Sequence, residues 1–75
     1  MRLEELFGAV LDVPAASLTE ESGPETVTEW DSFGHITLIT AMEETYGVSF
    51  ETDEIQKAKS LGDARDILRA KGVEV

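Results

Sequence analysis

The sequence predicts an all-α domain of three main helices plus one short helix, with a long loop between the first and second. Two observations carry this. Apolar residues recur at three- and four-residue spacing in three separate stretches, and no stretch shows the strict alternation of a strand. Between the first two of these stretches, residues 14–30 hold two prolines, a glycine and several side chains that hydrogen-bond their own backbone, with no sustained period. A chain of 75 residues makes one domain, spanning 1–75. Such a chain buries only about 60–65% of its unfolded surface, so its stability margin is small.

Leu3, Leu6, Phe7, Val10 and Leu11 form the stripe of the first helix, with Glu4 and Glu5 outside it near the dipole-favoured start. That helix must end near Asp12, because Pro14 pushes Val13 out of helical geometry. In the loop, Leu18, Val27 and Trp30 are the expected pins into the core, and Ser17-x-x-Glu20 reads as the cap of a short helical turn. The second helix carries the strongest pattern: Ser32, His35, Leu38, Ile39, Met42 and Tyr46 lie on one face. Its N-cap is Asp31 or Ser32, and Gly47 stops it, with Val48 folding back as the apolar contact of a Schellman-type end.

Val48 and Phe50 read as core contacts. Thr52 reads as the cap of a short third helix through Asp53, Glu54, Ile55 and Gln56. Ser60-x-x-Asp63 resembles a capping box ahead of Leu61, Ala64, Ile67 and Leu68, which form a fourth helix ending at Gly72. Arg69 and Lys71 stand at its C-terminal end, where the dipole favours cations.

Composition narrows the function. With no cysteine there is neither a disulfide framework nor a thiolate metal site, so thiol chemistry would have to come from a cofactor. The single histidine, His35, has no partner at ligand spacing, and no catalytic or metal-binding set can be assembled; His35 is expected to be a partly buried edge residue without an orienting partner. No apolar run approaches the ~18 residues needed to span a bilayer, and the acidic N-terminal stretch is unlike an export signal, so a cytoplasmic monomer is expected.

The net charge of −10 argues against nucleic-acid binding and for partners with basic surfaces. Residues 3–56 hold thirteen acidic side chains and no Lys or Arg, whereas residues 57–75 hold five basic and three acidic ones. This segregation gives up local ion pairs and leaves a one-signed field over the part of the chain that carries Ser32.

Ser32 is the residue to which this pattern points. It stands at the positive end of a helix dipole, where free N–H groups stabilise a nearby phosphate by about 0.3–1 kcal/mol. Phe33, Ile36 and Thr40 lie off the buried stripe and, flanked by Glu43 and Glu44, offer an outward strip for docking.

The run from Asp31-Ser32-Phe33 through Glu43-Glu44-Thr45-Tyr46-Gly47 to Phe50 resembles the second helix of acyl carrier proteins. The resemblance covers the whole chain, including the long acidic loop, the short third helix and the Ser60-Leu61-Gly62-Asp63 start of the last helix. It implies a small acyl-carrier-like bundle. It also implies that a phosphopantetheinyl transferase, using magnesium, joins the Ser32 hydroxyl to the 4′-phosphopantetheine of coenzyme A, with Asp31 helping to position the metal and the serine. The arm's thiol then carries an acyl group as a thioester, and the chain has no catalytic activity of its own. Acyl-transferring and acyl-loading enzymes with basic docking surfaces would be its partners. Aminoacyl or peptidyl cargo on the same attachment, or an unmodified acidic helical interaction module, are the alternatives. Phe33 stands where the family has leucine, and Gly34, His35 and Thr37 make the start of the helix less acidic than in typical fatty-acid carriers. The Trp30-Asp31-Ser32-x-Gly34-His35 wording looks most like discrete carriers of specialised biosynthesis.

Overall fold

In a computed structural model that describes residues 2–75, four α-helices surround one apolar core. They are α1 (Leu3–Leu11), α2 (Ser32–Tyr46), α3 (Thr52–Lys57) and α4 (Leu61–Ala70), and the loop before α2 contains one 3-10 turn, Ala15–Ser17. Helix α1 packs against α2 and against that turn. Its stripe places Leu3, Leu6, Phe7 and Leu11 in one buried core with Leu38, Ile39 and Met42 of α2 and Leu61, Ala64 and Leu68 of α4. At about 1.5–3 kcal/mol for each large side chain taken from water, these contacts are the main driving force for the fold. Among the described residues no helix is long and apolar enough to cross a membrane.

Each helix stops for a local reason. Asp12 ends α1 in the left-handed conformation at φ 58, and Val13 donates its N–H back to the Gly8 carbonyl at 3.0 Å. Gly47 ends α2 at φ 66, and the Val48 N–H reaches the Glu43 carbonyl at 3.3 Å, the long bond of a Schellman end. Ser60 caps α4 by accepting from the Asp63 N–H at 3.0 Å.

Two expected caps are overturned. Ser17 does not open a helical turn. It closes one, its hydroxyl donating to the Pro14 carbonyl at 2.7 Å, and Glu20 turns instead to Arg65. Thr52 is likewise the first residue of α3 and not its cap. Glu51 holds that place because the charged Glu54 carboxylate reaches back to the Glu51 N–H at 2.8 Å, a stronger bond than a neutral hydroxyl makes, and α3 runs on to Lys57.

The long loop is a chain of turns stitched to the rest. Thr19 donates its N–H to the Ser22 hydroxyl at 2.8 Å, Val27 to the Gly23 carbonyl at 2.8 Å and Trp30 to the Val27 carbonyl at 3.0 Å. Leu18 and Trp30 are buried and Val27 packs against the core, as expected of the pins. The carbonyls of Ser22 and Glu20 accept from the N–H groups of Leu61 and Gly62, so the loop supplies acceptors for the otherwise orphan donors of the first turn of α4.

The charge segregation seen along the chain is partly undone in space. Arg65 on α4 donates to Glu4 at 2.7 Å and to Glu20 at 3.1 Å, Lys71 meets Glu54 at 2.7 Å, and the exposed Lys57 stands 3.9 Å from Asp53. The cations of the last quarter thus compensate Glu4, Glu20, Asp53 and Glu54. Glu4 is held below its ordinary value by a hydrogen bond to its own backbone and then by the Arg65 charge, against some desolvation. Glu54 is held low by the Glu51 N–H and then by Lys71.

Candidate functional site at the start of α2

The first turn of α2 decides between the two possible caps. Asp31 is extended, at φ −94 and ψ −171, and its carboxylate accepts from the Gly34 N–H at 2.8 Å. Capping by the carboxylate leaves Ser32, the first helical residue, with an exposed hydroxyl that makes no hydrogen bond among the described residues. The free N–H groups of the first turn and the helix dipole make this a favourable place for an anion joined to that oxygen.

Gly34 is needed for the arrangement. A Cβ there would lie 2.6 Å from the Glu29 carbonyl oxygen, so only glycine lets the loop cross this close to the first turn. The crossing sets Trp30 into the core, at 2% exposure, with its edge on Phe7 at a ring distance of 5.4 Å.

His35 is partly buried, as expected of an edge residue, but the expectation that it lacks an orienting partner is overturned. The Trp30 indole N–H donates to His35 Nδ1 at 3.0 Å, and His35 Nε2 lies 2.8 Å from the Ile55 carbonyl oxygen. An indole N–H can only donate, so Nδ1 accepts and the ring proton sits on Nε2, donating to Ile55. The two rings also stack, 6.2 Å apart and 18° from parallel. The imidazole therefore clasps the loop, α2 and α3 together. Five-residue spacing from Trp30 to His35 was the one local hint; the Ile55 carbonyl is twenty residues away and left no mark in the pattern.

Beside Ser32 the structure holds an open groove of about 570 Å³, lined by Asp31, Ser32, Trp30 and His35 on one side and by Ile55, Gln56, Ala58 and Lys59 on the other. None of the α3 side of this groove was singled out from sequence. On the outer face of α2, Phe33 is 82% and Ile36 57% exposed, with Thr40 and Glu44 also open to solvent. Glu43 is different: it is half-buried and its carboxylate accepts from the Phe50 N–H at 2.7 Å, fastening the chain after α2. Among the described residues no group of three or more His, Asp or Glu side chains is gathered as for a metal ion.

No protein-family model matches the chain. An acyl carrier protein of Acidothermus cellulolyticus is 29% identical over 66 residues, spanning 88% of this chain and 79% of that protein. The solution structure of the holo acyl carrier protein from Geobacter metallireducens shares 35% identity and superposes with a TM-score of 0.83, over 92% of this chain and 79% of that one. That of the holo acyl carrier protein from Nitrosomonas europaea shares 30% identity at a TM-score of 0.79, over 92% and 89%. The four-helix fold, the exposed serine beside the Asp31 cap at the head of α2 and these likenesses converge: the chain belongs to the acyl carrier protein family, whose members are carriers without catalytic activity of their own.

Proposed function

We propose that Ser32 is the attachment point of a 4′-phosphopantetheine arm and that the whole chain, 1–75, is a single carrier domain presenting acyl intermediates to biosynthetic enzymes. The observation that carries this is the division of labour in the first turn of α2, where Asp31 takes the capping role and leaves the Ser32 hydroxyl exposed and unengaged. The residues present fit the group: a free primary hydroxyl, a positive helix end for a phosphodiester, and an adjacent carboxylate suited to share the transferase's magnesium, a hard cation that prefers oxygen ligands. In the transfer, Ser32 Oγ bonds to the phosphorus nearer the pantetheine, the diphosphate bond of coenzyme A breaks, adenosine 3′,5′-bisphosphate leaves, and the serine proton goes to a base of the transferase. When attached, the arm supplies the thiol that this cysteine-free chain lacks, and on it an acyl group rides as a thioester.

The exposed Phe33 and Ile36, with Thr40 beside them and Glu44 near, form the docking strip for the transferase and for enzymes of fatty acid, polyketide or related specialised metabolism that present basic surfaces. Incubation with coenzyme A, magnesium and a promiscuous transferase should add the mass of one phosphopantetheine to the parent chain and nothing to the Ser32→Ala chain. An unmodified parent chain would refute the reading. The exposed strip also suits an unmodified interaction module, which predicts partner binding indifferent to Ser32→Ala. Testing the holo chain against acyl-transferring and amino-acid-adenylating enzymes separates acyl from aminoacyl cargo.

A further inference from the structure

The floor of the groove beside Ser32 is closed. Trp30 fills the space beneath it, stacked on His35 and set edge-on against Phe7, and both imidazole nitrogens are engaged, one by the indole and one by the Ile55 carbonyl. A chain entering the core between α2 and α3 at this point must displace the indole or break the His35 bond, leaving a sheltered polar group without its partner. The space above the floor remains open. It is about 570 Å³, the size that holds a drug-sized group, and Ser32 itself forms part of its wall. Its floor is apolar, whereas Thr28, Gln56 and Lys59 place a hydroxyl, an amide and an ammonium in the lining. Lys59 is exposed and makes no ion pair among the described residues, unlike Lys57, Arg65 and Lys71.

We infer that the Trp30–His35–Ile55 clasp shuts the bundle interior to long aliphatic cargo, so that only a short, polar-substituted acyl group on the arm is accommodated, in the groove outside the clasp. The inference rests on Ser32 being the attachment point. The tether keeps its own end beside the groove, so even weak contacts hold an attached group there, whereas a free one would dissociate. Amides and hydroxyls of the arm meet the polar lining, and its methyl and methylene groups meet Trp30 and Ile55. A short acyl group completes the fill, and a long one has no room within it.

The test loads the full chain, through the transferase and the matching coenzyme A derivatives, with the bare arm or with acetyl, malonyl or octanoyl cargo, and follows amide and indole NMR shifts together with the thermal midpoint. The arm and the short acyl groups should shift the Trp30 indole N–H and the amides of Thr28, Gln56 and Lys59, and Gln56→Ala with Lys59→Ala should shrink those shifts at least twofold. Octanoyl should leave the amides of Phe7, Leu38 and Met42 unmoved and should not raise the midpoint. In the His35→Ala chain, where the clasp is opened, octanoyl should move those core amides and raise the midpoint.

Octanoyl moving the core amides of the parent chain would overturn the inference, as would arm-dependent shifts confined to residues 31–33. If His35→Ala fails to fold, the octanoyl comparison in the parent chain decides alone. A mass spectrum without the added arm would instead remove the attachment on which the inference rests, and so overturn both together.

Discussion

Replacing Arg65 by methionine keeps the apolar stem but removes the fork that ties α4 to both α1 and the loop. Arg65 donates from Nε and one terminal nitrogen to Glu20, both at 3.1 Å, and from that nitrogen to Glu4 at 2.7 Å. Its own side chain is 12% exposed and that of Glu4 23%, so this bond falls in the range of sheltered charge-assisted bonds, about 1.5–2 kcal/mol. Glu20 is 55% exposed, and its pair belongs with surface ion pairs, at about 0–1 kcal/mol. Together the loss is about 1.5–3 kcal/mol, which in a domain of this size lowers the thermal midpoint by about 6–24 °C.

The pH dependence has a definite sign. Glu4 is held below its ordinary 4.5, chiefly by its backbone hydrogen bond and in lesser part by Arg65. A lowered carboxylate contributes stability that is present above its unfolded value and is lost as pH falls through the folded one. The gap between parent and Arg65→Met should therefore be full above about pH 4.5 and should close as the pH is lowered further. Thermal unfolding at pH 7 and across the acid limb measures both. A midpoint lowered by less than about 4 °C at pH 7, under 1 kcal/mol, would show that Arg65 does not clamp the fold.

Glu44→Lys should slow encounter with the transferase, an effect that shrinks with added salt, and leave the thermal midpoint nearly unchanged, because Glu44 is exposed. Glu43→Lys should instead destabilise by about 1–3 kcal/mol through the orphaned Phe50 N–H; equal stability of the two variants in urea unfolding would contradict the assignment. Gly34→Ala should cost about 1–3 kcal/mol and alter the Trp30 fluorescence, since its Cβ would press on the Glu29 carbonyl; a chain of parent stability and parent emission would refute the close crossing. Because Glu21, Glu25, Glu29, Asp31 and Glu44 have no cation within ion-pair distance among the described residues, sodium chloride should raise the thermal midpoint and magnesium should do so at lower concentration; a midpoint insensitive to both would show that self-repulsion does not limit the fold.

What the sequence made legible was local. The stripe from His35 to Tyr46, the stop at Gly47 and the stop before Pro14 follow from spacing and backbone preference, and all appear in the fold. Leu18, Val27 and Trp30 stood out because apolar residues in a polar loop have little other use. The caps at Ser17 and Thr52 misled because other bonds are available at each place: the Ser17 hydroxyl donates to a proline carbonyl three residues back, and the Glu54 carboxylate, two residues after Thr52, takes the Glu51 N–H and moves the helix start one residue earlier. Ion pairs between residues 61 and 45 apart, such as Arg65 with Glu4 and Glu20, leave no periodic trace, and the same holds for the His35 bond to Ile55. At the site, Ser32 was legible as a helix start, whereas its freedom from capping duty depended on Asp31 winning that role in three dimensions.

The measurement that bears most directly on the carrier assignment is site-resolved mass spectrometry of the chain after transferase treatment. Fragmentation should place one phosphopantetheine on Ser32, leave Ser17, Ser22, Ser49 and Ser60 unmodified, and find the Ser32→Ala chain without any added group at unchanged thermal midpoint. An arm located on another hydroxyl, or a parent chain that stays unmodified while a known carrier in the same reaction is converted, would contradict it.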